Sequence, residues 1–423
     1  MQFIYNLLTW ILLLPFSAYW VFRGVVNRSY WDNLSQRFGF GFPKIERCVW
    51  LHAVSVGEVQ AAVPLIRNLM QQFPERDILV TTVTPTGAAR VRALFGDTVK
   101  HCYIPFEIPT AVRNFYRSVN PEIALIMETE IWPNLYRGSG IRGIPLILVS
   151  ARISPRSVPG YRRLLPLFRE TLSHGIIIAA QSRADADRFL SLGANAERTR
   201  VTGNIKFDIE LEDDLAERGA ELRAGLLGDR PVWIAASTHN GEEKLVLNAH
   251  RKLLETHEDL LLLLVPRHPE RFLQVRELVE KSDLTVVART DNRPCEAGTQ
   301  VFLGDTMGEL PLFYAASDIA FVAGSLIPIG GHNLLEPAAL SKPIISGPHV
   351  FNGQEIADMF VDQDACRIVR DWSELADAVE QFLDDTGRAD AMGRNGFRLV
   401  EQNRGSMHRL LVLLEPLLGQ VAR

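Results

Sequence analysis

The sequence has little cysteine, and it lacks the motifs of several large enzyme classes. Its four cysteines, Cys48, Cys102, Cys295 and Cys366, include no C-x-x-C pair. This spacing argues against a disulfide framework and a cysteine-ligated zinc site, and it fits a reducing compartment. The sequence also contains no G-x-S-x-G, H-E-x-x-H, Walker A or G-x-G-x-x-G motif. Their absence weakens the case for a hydrolase, a zinc protease, a nucleotide triphosphatase or a dinucleotide-dependent enzyme.

The overall composition is that of a globular protein. Apolar residues make up 47% of the 423 residues and charged residues 22%, which excludes a largely disordered or collagen-like chain. The sequence shows no internal repeat and no low-complexity segment. Its length suggests two or three domains rather than one core.

The first 22 residues carry no charged side chain. Residues 3–22 would form a helix of about 30 Å, which matches the thickness of the hydrocarbon layer of a membrane. A cleaved signal peptide would need a basic start and a small-x-small cleavage site, and neither is clear here. Arg23, Arg28 and Arg37 follow, so the positive-inside rule puts the remainder in the cytoplasm. We therefore predict a transmembrane anchor at 1–22 and a membrane-proximal segment at 23–46.

Charge is divided unevenly between the two halves of the chain. Residues 1–206 contain 24 Lys and Arg against 14 Asp and Glu, whereas residues 207–423 contain 21 against 36. The two halves are therefore expected to meet different partners, the basic half facing something anionic.

After Arg47, short apolar runs alternate with amphipathic stretches, which indicates parallel sheets covered by helices on both faces. The predicted strands are 48–53, 78–82, 123–127, 146–150, 176–180, 232–236, 260–265, 284–288, 319–323 and 343–346. The alternation pauses over an acidic stretch. We predict two doubly wound, Rossmann-like domains at 47–207 and 231–404 that face a cleft. A linker at 208–230 joins them, and a C-terminal helix at 405–423 crosses back.

Four turns after predicted strands share a small polar residue followed three positions later by glutamate. They contain Glu58, Glu243, Glu309 and Glu336. The spacing is that of a capping box, which satisfies amides at a helix start, so a purely structural role stays open for each glutamate. Gly57 and the run PIGGHN favour ligand binding at the turns of Glu58 and Glu336, because glycine lets the backbone approach a ligand and helix N-termini attract phosphate.

Glu58 is the candidate general base. A carboxylate at a helix start is held ionised by the helix dipole, so it can accept a proton at neutral pH. A second carboxylate nearby would offset its weakness as a base, and the run METEIWPN supplies Glu128 and Glu130 after another strand. Both cannot easily point the same way, so we expect at most one of them in the site.

Two cations and several histidines are further candidates. Arg267, in VPRHP, could bind a phosphate bidentately or could be a surface arginine. Lys206, in TGNIKFD, could reach a donor phosphate or could be a solvated hinge lysine. Five of the ten histidines lie at predicted strand ends: His52, His239, His268, His332 and His349. No pair has helical ligand spacing, so hydrogen-bonding roles are favoured over a metal.

Seven motifs, in order over nearly the whole chain, carry a family resemblance: WLHAVSVGE, ETEIWPNL, SARIS, GNIKFD, VPRHPERF, GDTMGELPLFYAASD and GGHNLLEPAALSKPII. Together they resemble the 3-deoxy-D-manno-octulosonic acid (Kdo) transferases of lipopolysaccharide synthesis, which are membrane-anchored GT-B glycosyltransferases. The resemblance implies transfer of Kdo from CMP-Kdo to the disaccharide of a lipid A precursor of the lipid IVA type, with inversion. It implies no metal and no cofactor, and a place on the cytoplasmic face of the inner membrane.

The resemblance also implies individual roles. The family's general base falls on Glu58, and the residues that support the transition state fall on Glu128 and Lys206. Its CMP site falls on Pro266, Arg267, Met307, Gly308, Glu309, Asn333, Leu334, Leu335 and Glu336. CMP has one phosphate, which Arg267, Lys206 and helix N-termini can neutralise without magnesium.

The basic first half suits a phosphorylated lipid acceptor on an anionic leaflet rather than a nucleic acid. Candidate acceptor contacts are Arg152, Arg156, Arg162 and Arg163, although these could also form the solvated face of a packed helix. Two other functions stay open, a GT-B enzyme with a UDP-sugar donor and a non-catalytic membrane scaffold. The sequence leaves open the number of Kdo units added and the oligomeric state.

Overall fold

The computed structural model describes residues 1–420 and contains two compact units. Unit 1 comprises Met1–Asp208 together with the chain from Arg404, and unit 2 comprises Ile209–Asn403. Each is built on a seven-stranded sheet whose strand pairs are all parallel. The predicted doubly wound α/β class is therefore confirmed for both units.

The sheet of unit 1 has the order β3-β2-β1-β4-β5-β6-β7. Its strands are β1 (Cys48–His52), β2 (Asp77–Thr82), β3 (Lys100–Tyr103), β4 (Pro121–Met127), β5 (Leu146–Ala151), β6 (Ile177–Ala180) and β7 (Thr199–Val201). Its helices before residue 208 are α1 (Gln2–Val26), α2 (Leu34–Arg37), α3 (Val56–Gln72), α4 (Pro85–Phe95), α5 (Pro109–Val119), α6 (Pro133–Ile141), α7 (Val158–Arg163), α8 (Leu165–Leu172) and α9 (Arg183–Ser191).

The inner strands of each sheet are mostly apolar runs because both faces of the sheet are covered there. In β1, Trp50 packs into one core cluster while its neighbours Val49 and Leu51 pack into another, as expected when successive side chains point to opposite faces. In β1, and in β8 (Val232–Thr238) of unit 2, the polar side chains come at the carboxyl end, where the turns begin.

The sheet of unit 2 has the order β10-β11-β9-β8-β12-β13-β14. Its strands are β8 (Val232–Thr238), β9 (Leu261–Pro266), β10 (Val286–Ala288), β11 (Val301–Leu303), β12 (Ile319–Val322), β13 (Ile344–Ser346) and β14 (Arg367–Ile368). Its helices are α10 (Leu215–Leu222), α11 (Glu242–Leu253), α12 (Phe272–Glu280), α13 (Leu310–Ala316), α14 (Leu335–Ala339), α15 (Gln354–Asp362), α16 (Trp372–Asp384) and α17 (Thr386–Asn403).

The segment 208–230, predicted as a linker, is folded into unit 2. It contains α10 and a π-helical turn at Arg223–Leu227. Leu215, Leu222 and Leu227 are buried in the core of this unit. The apolar pattern of this segment is hard to recognise in the sequence because acidic residues occupy the positions between the buried ones.

The chain ends with α18 (Ser406–Gln420), which packs on unit 1. Its Met407, Leu410, Leu414 and Leu418 belong to the same core cluster as residues of α3 and β1. The Asp208 carboxylate accepts hydrogen bonds from the amides of residues 405 and 407, at 2.6 and 2.5 Å. Unit 1 is therefore completed by the last helix of the chain.

The N-terminal helix α1 is longer than the predicted span and, judged by length and composition alone, could cross a membrane. The following segment, 23–46, belongs to unit 1, and its Phe42 and Ile45 are buried in the core.

Four strands were not predicted: β3, β7, β11 and β14. Each has four residues or fewer, and β3, β7 and β14 lie at sheet edges. Such short runs give too little periodicity to separate from turns.

Candidate active site

The order of the strands fixes where each unit can bind a ligand. In unit 1 the chain moves outward in one direction from β1 and in the other from β4, so the switch point lies between these two strands. In unit 2 the corresponding point lies between β8 and β12. In open α/β sheets, ligands bind beyond the carboxyl ends of the strands at such a point. Glu58 and Glu128 follow β1 and β4, and His239 follows β8.

Glu58 is a partly buried carboxyl group with a strongly altered acidity. It lies in the first turn of α3, and its Oε2 accepts a hydrogen bond of 2.6 Å from the amide of Val54. Burial raises the pKa of Glu58 to about 7, although the Val54 amide opposes the shift. The charges of Glu128 and Glu130 raise this pKa further, whereas Lys206 lowers it. A carboxylate with a pKa near 7 is well matched to accepting a proton at neutral pH.

Glu128 is held between two cations. Its Oε1 accepts a hydrogen bond from Lys206 Nζ at 2.8 Å, and its Oε2 accepts one from Arg152 Nε at 3.0 Å. Burial alone would raise the pKa of Glu128, but the positive charges of Lys206 and Arg152 lower it below the usual value. Its backbone has a φ of 56°, a left-handed conformation that costs energy for a residue other than glycine. Glu128 is therefore a fixed negative charge.

Glu130 is directed elsewhere. Its carboxylate accepts a hydrogen bond of 2.7 Å from the indole of Trp132. Burial raises the pKa of Glu130, and the Trp132 hydrogen bond opposes that shift. Of the two carboxylates in METEIWPN, Glu128 is the one paired with Lys206.

The short turn Ile205–Phe207 positions Lys206. The side chain of Asn204 accepts a hydrogen bond from the Lys206 amide at 3.0 Å, and the Ser150 hydroxyl accepts one from Ile205 at 3.3 Å. Ser150 also has a left-handed φ, of 49°. The supporting roles of Asn204 and Ser150 were not predicted from the sequence, and Arg152, predicted as an acceptor contact, pairs with Glu128 in the structure. The motifs SARIS and GNIKFD contain all three residues and were the available signal.

The other candidate acceptor arginines, Arg156, Arg162 and Arg163, are exposed on or beside α7. The apolar side of the neighbouring helix α8 is turned inward, since Leu167 and Phe168 are buried. The arginines thus form an exposed cationic face on unit 1.

In unit 2, Arg267 follows β9, and its amide donates a hydrogen bond of 3.0 Å to the carbonyl of Thr238. His239 and His332 stack with parallel rings, and their Nε2 atoms lie 2.9 Å apart. The ring of His268 lies edge-on to His239 at 5.2 Å. Burial lowers the pKa of His332 to about 3 and also lowers that of His239, and the neighbouring positive groups add to both effects. At neutral pH the imidazoles of His239 and His332 are therefore uncharged, and Arg267 is a permanent cation beside them.

The loop after β12 adds a carboxyl group to this cluster. Asn333 Nδ2 donates to Glu336 at 3.1 Å, and Asn333 Oδ1 accepts from the amide of Leu335 at 3.1 Å. Burial raises the pKa of Glu336, while Asn333 and the nearby charge of Arg267 lower it. The structure thus brings Arg267, Asn333 and Glu336 together, next to Leu334 and Leu335.

The candidate segment after β11 is held by different partners. Glu309 accepts hydrogen bonds from Arg289 at 3.0 Å and from the hydroxyl of Thr306 at 2.5 Å. Met307 is exposed, and Gly308 has a φ of 86° that glycine adopts without strain. Since β11 pairs with β9, this turn follows the strand next to Pro266 and Arg267.

His52, another histidine at a strand end, has a structural role. His52 is fully buried, its Nδ1 lies 2.9 Å from the hydroxyl of Thr81, and burial lowers its pKa to about 4. Across residues 1–420, no three His, Cys, Asp or Glu side chains converge as ligands of a metal ion would.

Two family models and several known proteins match this chain in sequence. Residues 32–209 match the family model described as 3-deoxy-D-manno-octulosonic-acid transferase (kdotransferase), and residues 229–399 match that of glycosyl transferases group 1. A 3-deoxy-D-manno-octulosonic acid transferase of Haemophilus influenzae is 43% identical, covering 93% of this chain and 93% of its own. One from Bordetella pertussis is 36% identical, covering 88% and 87%.

Among solved structures, a glycosyltransferase from Rickettsia africae resembles this chain with a TM-score of 0.52 at 15% identity. The match covers 89% of this chain and 99% of the other. At that identity the likeness concerns the fold alone, and it agrees with the predicted GT-B-like pair of domains.

Proposed function

The chain belongs to the 3-deoxy-D-manno-octulosonic acid (Kdo) transferases, and on this premise we propose that it moves Kdo from CMP-Kdo to a lipid A precursor with inversion. It is a glycosyltransferase of lipopolysaccharide synthesis. The donor, the acceptor and the base are the parts we propose. The observation that carries the proposed proton transfer is the partly buried Glu58 at the switch point of unit 1, whose pKa burial raises to about 7.

In the proposed reaction, Glu58 removes the proton from a sugar hydroxyl of the acceptor. The hydroxyl oxygen forms a bond to the anomeric carbon of Kdo while the bond from that carbon to the phosphate oxygen breaks, and CMP leaves with the bonding electrons. Attack from the face opposite CMP inverts the anomeric centre. The proton stays on Glu58 until it is lost to solvent.

Glu128 and Lys206 support Glu58 electrostatically. The negative charge of Glu128 raises the pKa of Glu58 and so strengthens it as a base. Lys206 and Arg152 keep Glu128 ionised through hydrogen bonds of 2.8 and 3.0 Å. Without these two cations, burial would drive Glu128 towards its neutral form, and its effect on Glu58 would be lost.

Unit 2 supplies the proposed donor site. Arg267 is the permanent cation that can pair with the single phosphate of CMP. Glu336, oriented by Asn333, can accept a hydrogen bond from a ribose hydroxyl. Pro266, Leu334 and Leu335 flank these groups, and Met307, Gly308 and Glu309 form the turn after the adjacent strand β11. A monophosphate leaving group can be stabilised by such fixed cations, so we propose that the reaction uses no metal and no cofactor.

The proposed acceptor is a phosphorylated lipid on an anionic leaflet of the inner membrane. The basic composition of residues 1–206 and the exposed Arg156, Arg162 and Arg163 support this partner. The apolar helix α1 is the proposed attachment to that membrane, with the catalytic units on the cytoplasmic face.

The test is mass spectrometry of the lipid made by the purified full-length protein from a lipid IVA-type acceptor. CMP-Kdo should give a mass increase of Kdo residues, and the increase also reports how many are added. UDP-sugars, tried in parallel, should give no product. A product only with a UDP-sugar, or none with any donor, would overturn the proposal.

A further inference from the structure

In helix α1, polar side chains face the protein and apolar side chains face outward, the reverse of a helix on the surface of a water-soluble protein. From residue 2 to residue 17, every side chain with an amide or hydroxyl group is buried or partly buried: Gln2, Tyr5, Asn6, Thr9 and Ser17. The large apolar side chains point away from the protein, for example Phe3 and Leu14, which are 79% and 80% exposed. In water the opposite arrangement would be stable, because apolar area in contact with water is unfavourable.

The amide and hydroxyl groups on the inner side of α1 are bonded to protein atoms, whereas the indole Nε1 of the buried Trp20 has no partner among the described residues. Gln2 Nε2 donates to Asn134 Oδ1 at 2.8 Å, and the Tyr5 hydroxyl donates to Glu107 at 3.0 Å. The hydroxyls of Thr9 and Ser17 donate to carbonyls of the helix itself, at 2.8 and 2.6 Å. Hydrocarbon imposes this condition, since it contains no water to bond polar groups.

The acceptor of Tyr5 is itself firmly fixed. Glu107 is buried, and its carboxylate also accepts hydrogen bonds from the amides of Asn134 and Leu135 at the start of α6, at 2.8 and 2.9 Å. The N-terminal end of α1 is therefore bonded to the first turn of another helix of unit 1.

The other end of α1 is bound as well. Trp20 is buried against Phe106, with ring centroids 6.0 Å apart, and Phe16 lies 5.0 Å from the same ring. The guanidinium of the buried Arg37 lies 3.9 Å from the Trp20 ring and 4.3 Å from that of Tyr103 on β3. Between the two ends, Leu13 packs on the same apolar cluster.

These contacts extend over the length that a spanning helix would need. Gln2 and Trp20 are 18 residues apart, about 27 Å along a helix, which is close to the hydrocarbon thickness. If α1 crossed the bilayer while keeping both contacts, unit 1 would have to enter the hydrocarbon beside it. Arg137 is exposed one turn after Asn134 on α6, and a charge at that depth is costly.

We propose that α1 lies in the plane of one leaflet, with its apolar face in the boundary between headgroups and acyl chains and its polar side on unit 1. This inference deepens the proposed function and rests on its membrane attachment. Exposed Trp10 and Tyr19 suit the interfacial layer, and Arg23 and Arg28 near the end of α1 suit anionic headgroups. Unit 1 is then held against the leaflet at two points, so the orientation of its strand ends towards a lipid acceptor is fixed.

The first experiment is a cysteine cross-link in native membranes with a short bifunctional maleimide. The variant Gln2→Cys/Asn134→Cys should form an intramolecular cross-link, seen as altered mobility on a denaturing gel. The matched control Phe3→Cys/Asn134→Cys should not, because Phe3 points away from unit 1. The two single variants report any reaction with the native cysteines, three of which are buried.

The second experiment locates the N-terminus with a protease-sensitive tag placed before Met1. An in-plane helix leaves this tag on the same side as unit 1, so it should be cleaved in inverted vesicles and protected in intact spheroplasts. Cleavage in spheroplasts, or no Gln2–Asn134 cross-link in membranes, would overturn the proposal in favour of a spanning helix. Cross-links only between two protein molecules would overturn it in favour of a second copy on the apolar face.

Kdo transfer is assayed on the same membranes. Loss of transfer with the cross-link intact would affect the proposed function and not the inference about α1. A missing cross-link with normal transfer would overturn the inference about α1 and leave the proposed function unaffected.

Discussion

Glu58 in unit 1 and Glu242 in unit 2 lie near the starts of comparable helices, yet their surroundings differ. Each lies in the first turn of the helix that follows the first strand of its unit. Glu242 is fully buried and accepts four backbone hydrogen bonds, from His239 at 3.3 Å and from residues 324, 325 and 326 at 2.7–3.0 Å. Glu58 accepts one, from Val54.

This difference separates a structural carboxylate from a reactive one. The oxygens of Glu242 are fully used in holding the loop after β12 against the start of α11, so no lone pair faces a ligand. Glu58 has one bonded oxygen, and the described structure leaves capacity on the other for a substrate proton. Burial raises the pKa of an acid such as Glu58 and lowers that of a base such as His332, because it disfavours the charged form of each. At neutral pH, Glu58 of unit 1 can therefore accept a proton. At the proposed donor site of unit 2, the positive charge comes from Arg267.

The largest expected effect is on turnover. Glu58→Gln keeps the shape and the hydrogen bond to Val54 but cannot accept the substrate proton. We expect the transfer rate to fall about 100-fold to 10,000-fold, with little change in melting temperature or CMP affinity. Single-turnover assays with CMP-Kdo measure the rate.

Glu242→Gln is the matched control for that variant. Its amide nitrogen would face backbone N–H groups, so we expect the free energy of unfolding to fall by about 1.5–3 kcal/mol, as for other charged hydrogen bonds. A folded Glu58→Gln enzyme with near-normal transfer would end its assignment as the base, and Glu128 would be tested next.

Nucleotide affinity is the second expected effect. Arg267→Ala removes the proposed phosphate partner and should weaken CMP binding about 10-fold to 150-fold, since a hydrogen bond to a charged group contributes about 1.5–3 kcal/mol. Calorimetry with CMP measures this. Arg276→Ala is the control, because Arg276 pairs with Asp291 on another part of unit 2. Equal affinities of both variants would move the donor site elsewhere.

A smaller effect concerns the pH dependence of transfer. Glu58 must be ionised to act, so the rate should fall as the pH drops through about 7. Glu128→Gln removes a charge that raises the pKa of Glu58, so this fall should move to lower pH. Lys206→Met removes a charge that lowers it, while Arg152 still holds Glu128 in its ionised form, so the fall should move to higher pH. Shifts of both variants in the same direction would contradict the proposed electrostatic coupling.

The smallest expected effect is that of chelation. Because Arg267 can neutralise the single phosphate of CMP, EDTA should leave the transfer rate unchanged, and added Mg²⁺ should not increase it. A rate that falls with EDTA and returns with a divalent cation would show that the reaction needs a metal.

Much of the fold could be predicted because its signal is local. All ten predicted strands are present, since a buried parallel strand is an apolar run whatever its neighbours are. The short strands β3, β7, β11 and β14 and the helix α10 were missed. Each has too few apolar residues to form a recognisable pattern, and only the folded structure shows which core they pack into. The motifs around Glu58 and Arg267 also predicted strand ends. In a parallel sheet the carboxyl ends of neighbouring strands lie at the same edge, where ligands bind.

The amino-acid sequence thus determined the α/β class, the family and the residues at each strand end, because periodicity and motif are properties of neighbouring residues. Tertiary structure alone decided what those residues do to each other. The pair of Glu128 and Lys206 joins side chains 78 positions apart, and Glu242 meets a loop more than 80 residues later. The sequence likewise shows α1 as a uniform apolar run. Its polar side acquires a partner only where folding brings Asn134 and Glu107 beside it, because hydrogen bonds between distant residues depend on packing and leave no local pattern.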